Sequence, residues 1–129
     1  MKIKIADMEN LPAIQNLLKE AALPFADIET HLSGFIIGTE NENILAVAGL
    51  EIEDDIALLR SVAVKQEYRN KGLGEEIVRV ITNMAISKNI NSIYLLTETA
   101  EKFFSRMGFA AISRNDVHPQ IKNTEEYKT

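Results

Sequence analysis

Tyr68-Arg69-Asn70-Lys71-Gly72-Leu73-Gly74 is the stretch whose residue types and spacing are best suited to chemistry. It lies between an apolar, strand-like run, Ile56 to Val64, and an amphipathic, helix-like run, Leu73 to Lys88. A strand, a short glycine-bearing loop and a helix start make a phosphate cradle. Unobstructed backbone N–H groups can converge on one point, and the helix dipole adds partial positive charge there. Lys65, Arg69 and Lys71 cluster at this loop in a chain of net charge −5. An acidic protein with its basic residues gathered at one loop suggests a small anionic ligand. A Rossmann fingerprint fails, because Gly72-x-Gly74-x-x-Ile77 lacks the third small residue that permits close helix packing. Without Gly-Lys-Ser/Thr there is no P-loop either.

A second chemical feature is Arg60, a guanidinium inside the apolar run Ile56–Val64. It must have a partner or face a cavity. One reading is an anchor for a substrate carboxylate or similar oxyanion. The other is a buried ion pair with a nearby acid such as Glu51 or Glu98.

The whole-chain numbers narrow the function class. At 129 residues one domain, 1–129, is expected. A hydrophobic fraction of 46% fits a soluble globular protein with a real core. No apolar run approaches the roughly 20 residues of a membrane helix, and Met1-Lys2-Ile3-Lys4-Ile5 alternates unlike a signal peptide. Zero cysteines exclude disulfides and thiolate metal sites and are consistent with a cytoplasmic protein. His31 and His118 lie far apart without ligand spacing, so no metal is expected. The negative net charge argues against nucleic acid and anionic membrane as partners.

The elements that must position these residues follow from pattern. Lys2–Ala6 alternates as a first strand, Asp7 or Asn10 can cap, and Pro12 suits a first helical turn. Leu11, Ile14, Leu18 and Ala21 recur at helical spacing, and Leu23-Pro24 ends that helix. Phe25–Leu32 reads as a short second helix or an irregular loop. Phe35–Thr39, Ile44–Ile52 and Ile56–Val64, joined by short polar turns, read as an antiparallel meander, with Gly49 a bulge or close-approach point. Ile56–Val64 is apolar on both faces apart from Arg60 and Ser61, as in a covered central strand. Leu73, Ile77, Val80, Met84 and Ala85 give the next helix one apolar face. Ser92–Leu96 then runs parallel to Ile56–Val64 through that βαβ crossover. Ala100–Met107 is a helix closed by Gly108, and Ala110–Ser113 returns as a strand. Glu125–Thr129 is a candidate last strand. An incomplete sheet edge would favour pairing with a second subunit, giving a homodimer.

This order of elements, with Arg69-x-x-Gly72-x-Gly74 after a strand and Ala100-x-x-Phe103-Phe104-x-x-x-Gly108-Phe109 closing the chain, resembles the GCN5-related N-acetyltransferases (GNAT) over nearly its whole length. Ala57–Val64, Tyr94–Thr97 and Thr99–Phe104 look more narrowly like the small GNAT proteins of arsenic-resistance operons. The resemblance implies an α/β fold, a central mixed β-sheet with helices on both faces, and acetyl-CoA as co-substrate. It implies that the amides of Arg69, Asn70, Lys71, Gly72, Leu73, Gly74 and Glu75 bind the pyrophosphate. Gly72 and Gly74 are then needed because a Cβ would obstruct the diphosphate or the loop. Val62, Ala63 and Val64 would pair with the pantetheine arm beside a bulge that opens a V-shaped slot. The Val62 amide would face the thioester carbonyl as an oxyanion donor.

Two departures bear on proton transfer. Many relatives place a tyrosine four residues before the closing glycine, and here it is Phe104. Many carry a glutamate on the fourth strand, and Ile56–Val64 has no acid. Glu51 and Glu98 are the leading substitute bases, each also readable as a solvated or salt-bridged carboxylate. Thr97 and Thr99 could bond substrate or water, with one of them capping the Ala100 helix. Phe103 and Phe104 read as core or pantetheine-packing residues. Arg114 and His118 sit where the tail could reach the substrate mouth or remain on the surface, and His31 is expected at the surface. The function implied is direct acetyl transfer to the primary amine of a small, amino-acid-like molecule, and the arsenic-operon resemblance implies detoxification of a small toxic amine or amino acid. The alternatives are a CoA-binding sensor without turnover and a protein or peptide N-acetyltransferase.

Overall fold

A computed structural model describes residues 1–97, 99–113, 116–122 and 124. Among these residues the sheet has five strands in chain order: β1 (Lys2–Ile5), β2 (Phe35–Glu40), β3 (Asn43–Glu53), β4 (Ile56–Val64) and β5 (Ser92–Leu95). The first three pairings are antiparallel and β4–β5 is parallel, as a helical crossover requires. The helices are α1 (Leu11–Glu20), α2 (Ile28–His31), α3 (Leu73–Ser87), α4 (Glu101–Arg106) and α5 (Pro119–Lys122).

Strand alternation divides the core between the two faces of the sheet. Ala46, Ala48, Leu50, Ala57 and Leu59 point to α3 and α4. Phe35, Ile37, Val47 and Ala63 point to α1 and α2, where Ile14, Leu17, Leu18 and Ile28 meet them. Ile56 and Leu58 share a small cluster with Ile121 of α5. Arg60, two residues further along β4, continues the face of Ile56 and Leu58.

Asp7 caps the chain's entry into α1, its carboxylate accepting from the Glu9 N–H at 3.0 Å. Thr97 Oγ1 accepts the Ala100 N–H at 2.9 Å and closes the turn before α4, whose N-cap is Ala100, so neither threonine caps that helix with its side chain. Gly108 ends that helix at φ 100°. The buried face of α3 is Ile77, Val78, Ile81 and Ala85, not the stripe through Val80, which is exposed. Positions 77, 81 and 85 step four residues at a time and 78 joins them, so Val80 turns to the other side.

Residues 110–113, expected as a strand, carry no strand pairing and are exposed. Their composition is strand-compatible, but no neighbouring edge among the described residues takes them up. Glu125–Thr129 lies outside the described residues.

Candidate functional site

β4 carries the irregularity that opens the site. Arg60 pairs with Gly49 and Ala63 with Val47, so Ser61 and Val62 together face only Ala48. The extra residue is a β-bulge, and Ser61 takes φ 58° to form it. The bulge is thus on β4, opposite the position where Gly49 suggested one. Gly49 serves the close approach instead, since a Cβ there would meet the Phe35 ring at 2.5 Å.

Pairing of β4 with β5 stops at Leu59 and Leu95. Beyond that point a slot of about 250 Å³ opens. Residues 59–64 form one wall, residues 95–97 with Thr99, Ala100 and Phe104 the other, and Ala21 and Leu23 close it from the α1 side. Val62, Ala63, Val64, Arg60, Arg69 and Thr97 therefore meet at one cleft.

At one end of the slot stands the loop before α3. Asn70 and Gly72 both adopt left-handed backbone, at φ 64° and 82°. Gly72 is the N-cap and supplies no side chain, and the helix closes with Glu76 N–H donating to the Gly72 carbonyl at 3.0 Å. The N–H groups of Leu73, Gly74 and Glu75 precede that bond, where helical amides have no intrahelical acceptor. A Cβ on Gly72 would enter open space, with nothing within 4 Å. Gly74 sits where a Cβ would touch Phe103 and Val64, each at 3.6 Å. Open space over uncapped amides at the start of a 15-residue helix fits a diphosphate. Arg69 is turned back on the loop, Nε donating to the Val64 carbonyl at 3.0 Å, while Lys71 lies over the Tyr68 ring at 5.5 Å.

The other end of the slot is charged. The Arg60 side chain is fully buried and meets Asp27 through two bonds, Nη1 to Oδ2 at 2.6 Å and Nη2 to Oδ1 at 2.8 Å. Nη1 also donates to Glu51 Oε2 at 3.2 Å, and Nε to Ser61 Oγ at 3.1 Å. The guanidinium lies 6.0 Å from the centre of the Phe35 ring. Glu51 is 3% exposed and has His31 Nε2 3.7 Å from its other oxygen. His31 is half-buried and not free at the surface: its Nε2 is buried, turned to Glu51 at a distance too long for a hydrogen bond. The Arg60 guanidinium bonded to Asp27 holds that carboxyl below its ordinary value of 3.8, against the opposing effect of burial.

Asp27 was not visible as a site residue in the sequence. Its only signal was that an arginine in an apolar strand needs a carboxylate, and the carboxylate comes from 33 positions away. Phe104 is 8% exposed and packs edge-to-face on Phe103 and Phe109, with ring centres 5.0 and 5.8 Å apart. Phe104 thus combines core packing with a place in the slot wall. His118 is occupied otherwise, its Nδ1 accepting the Gln120 N–H at 3.1 Å at the start of α5. Glu98 and Arg114 lie outside the described residues. Among the described residues no group of three or more potential metal ligands is assembled, and no helix is long and apolar enough to cross a membrane.

Comparison with known proteins matches residues 31–111 to the acetyltransferase (GNAT) domain family. An uncharacterized N-acetyltransferase of Chlorobaculum tepidum, CT2212, is 27% identical over 89 residues, 68% of this chain and 57% of that protein. The amino-acid acetyltransferase of Actinobacillus pleuropneumoniae serotype 3 is 22% identical over 135 residues, covering 98% of this chain and 31% of its own length. The chain therefore spans about a third to somewhat over half of these curated relatives. The crystal structure of N-acetylglutamate synthase from Neisseria gonorrhoeae, complexed with coenzyme A and N-acetyl-glutamate, has the same fold, with a TM-score of 0.84 at 22% identity. That match covers 98% of this chain and 32% of the synthase.

Proposed function

We propose that this chain, which belongs to the GNAT acetyltransferase domain family, transfers acetyl from acetyl-CoA to the primary amine of a small, amino-acid-like acceptor. One observation carries the reading: the bulged, half-unpaired β4 opens a slot that leads straight to the uncapped, glycine-bearing start of α3. The amides of residues 69–75 would take the pyrophosphate, Gly72 and Gly74 leaving it room. The edge of β4 at Val62, Ala63 and Val64 would pair with the pantetheine arm, with Phe103 and Phe104 packing beside it.

The neutral amine attacks the thioester carbonyl carbon. A C–N bond forms, the C–S bond breaks, and the thiolate leaves with the electron pair. The Val62 amide stabilises the oxyanion. Glu51, bonded to the slot-lining Arg60, accepts the amine proton through a water, with Glu98 the other carboxylate in that role. The thiolate takes its proton from solvent, since Phe104 has none to give. Thiolate is a good leaving group, so holding the reactants in line supplies much of the rate. Arg60, with Arg114 as helper, faces the acceptor's anionic end, and Thr97 adds a hydroxyl to the slot wall. Amino-acid acetyltransferases among the relatives support this acceptor class.

The finer readings that go with it are a single transfer domain in the cytoplasm, detoxification of a small toxic amine in the manner of arsenic-operon proteins, and a homodimer paired at an incomplete sheet edge.

The test is acetyl-CoA binding by calorimetry on the wild type and on Gly72→Glu, followed by an amine panel read by thiol release. Micromolar binding lost in Gly72→Glu, with turnover of a small amine, supports the reading. Tight binding with no turnover on any amine or peptide points to a sensor, the reading that Phe104 favours. Absence of binding overturns both.

A further inference from the structure

The carboxylate that meets Arg60 through two bonds belongs to no neighbouring strand. It comes from Asp27, on the segment that joins α1 to α2. Two parallel N–H···O bonds are how an arginine holds any small carboxylate. Arg60 lines the slot, and Glu51 and Ser61 already meet its Nη1 and Nε from β3 and β4. Asp27 thus sits as a carboxylic acid entering the slot would sit.

The segment that delivers it is lightly held. Ala22, Pro24, Phe25 and Ala26 are exposed, and Ala22 leaves α1 at φ 59°. Ala22 and Leu23 donate back to carbonyls of α1, and Gln15 Nε2 reaches the Phe25 carbonyl at 3.3 Å. On either side the anchors are firm, with Leu18 and Ile28 fully buried. A short exposed stretch between two buried anchors opens at low cost compared with the core.

We propose that Asp27 occupies, from within the chain, the carboxylate position on Arg60, so that residue 27 sets the preference between carboxylate-bearing and carboxylate-free amines. The inference rests on the acetyl-transfer reading of the slot. An acidic acceptor exchanges with the Asp27 carboxylate while Glu51 stays on Arg60, and the segment 22–27 moves outward. An amine without a carboxylate leaves the pair closed and uses the slot walls alone. A tethered carboxylate acts at an effective concentration on the order of millimolar or higher. The apparent affinity for an external acid is therefore reduced by the fraction of time the pair stands open.

The experiment measures acetyl transfer to matched pairs, each an L-amino acid and its decarboxylated amine, by wild type, Asp27→Asn and Asp27→Ala. Both substitutions should lower KM for the amino acid about tenfold and leave the amine's KM and kcat within about twofold. Equal changes in both members of a pair, or no change in either, overturn the proposal. Asp27→Asn keeps the side chain's size should Asp27→Ala fail to fold. A second readout needs no turnover: the Arg60 Nε–H resonance is followed by NMR as sodium acetate is added to the CoA-saturated protein. The acetate midpoint should fall about tenfold in the variants, and an unchanged midpoint overturns the proposal. A midpoint that moves while no amine is acetylated upholds the role of Asp27 and removes the transfer reading alone.

Discussion

The loop at Arg69–Gly74 and the charged cluster of Asp27, His31, Glu51 and Arg60 stand at two ends of one slot, and they are built in opposite ways. The loop is local: its strand, turn and helix start are contiguous, and its working groups are backbone amides. The cluster draws one side chain each from the α1–α2 segment, α2, β3 and β4. Its working groups are side-chain charges, Arg60 and Glu51 buried and Asp27 partly exposed, that hold one another. A site made of backbone can lose its ligand without losing the fold, whereas one made of buried charges ties binding to stability.

Substitutions at the two ends should separate these behaviours. The largest effect is expected for Arg60→Met, which leaves Glu51 buried without its guanidinium. Chemical denaturation should show a loss of about 3–5 kcal/mol. Retention of wild-type stability would mean that the cluster is not a structural unit. Gly72→Glu should weaken acetyl-CoA binding at least about a hundredfold in calorimetry, while the φ of 82° costs about 1–2 kcal/mol of stability. A folded variant that still binds would show that the diphosphate does not cross Gly72.

Glu51→Gln sharpens the contrast further, because it alters charge and keeps shape. A base role predicts a drop in kcat of about 10²–10⁴ with acetyl-CoA affinity unchanged. Unchanged kcat would assign the proton to another group.

Smaller effects come from pH and from Arg69. The folded-state pKa of Asp27 lies below 3.8, so the unfolded chain binds more protons as pH falls. The stability contributed by Asp27 is present above about 3.8 and is lost as pH drops through the lower, folded value. Asp27→Asn should therefore be less stable near neutrality and lose less between those two pH values in thermal unfolding. Arg69→Ala removes one exposed bond to the Val64 carbonyl and should cost about 1 kcal/mol. A much larger loss of acetyl-CoA binding would give the guanidinium a direct ligand contact.

Much of this organisation was legible from residue pattern. The meander, the β4–β5 crossover, α3 and the cap at Gly108 all rest on short-range rules, and each is where those rules place it. The misses share a different character. Residues 110–113 look like a strand, but a strand exists only with a partner edge. Val80 looks apolar enough for the core, but the rotation of α3 against the sheet is settled by packing. His31 looked like a surface residue, and the fold turned it toward Glu51.

The sequence by itself determined the phosphate cradle, because glycine backbone freedom, helix dipole and strand-to-helix order are properties of a few neighbouring residues. It also required that Arg60 find a partner, because an arginine in an apolar strand cannot remain uncompensated. Glu51 was already one of the acids the sequence offered it, and the tertiary structure added Asp27. Glu51 meets Arg60 through the β3–β4 pairing, whereas Asp27 reaches it from 33 positions away, and packing of the α1–α2 segment on the sheet sets that distance. The slot followed the same division: the residues of β4 are contiguous, but the opening exists because β5 stops pairing where the bulge turns β4 aside.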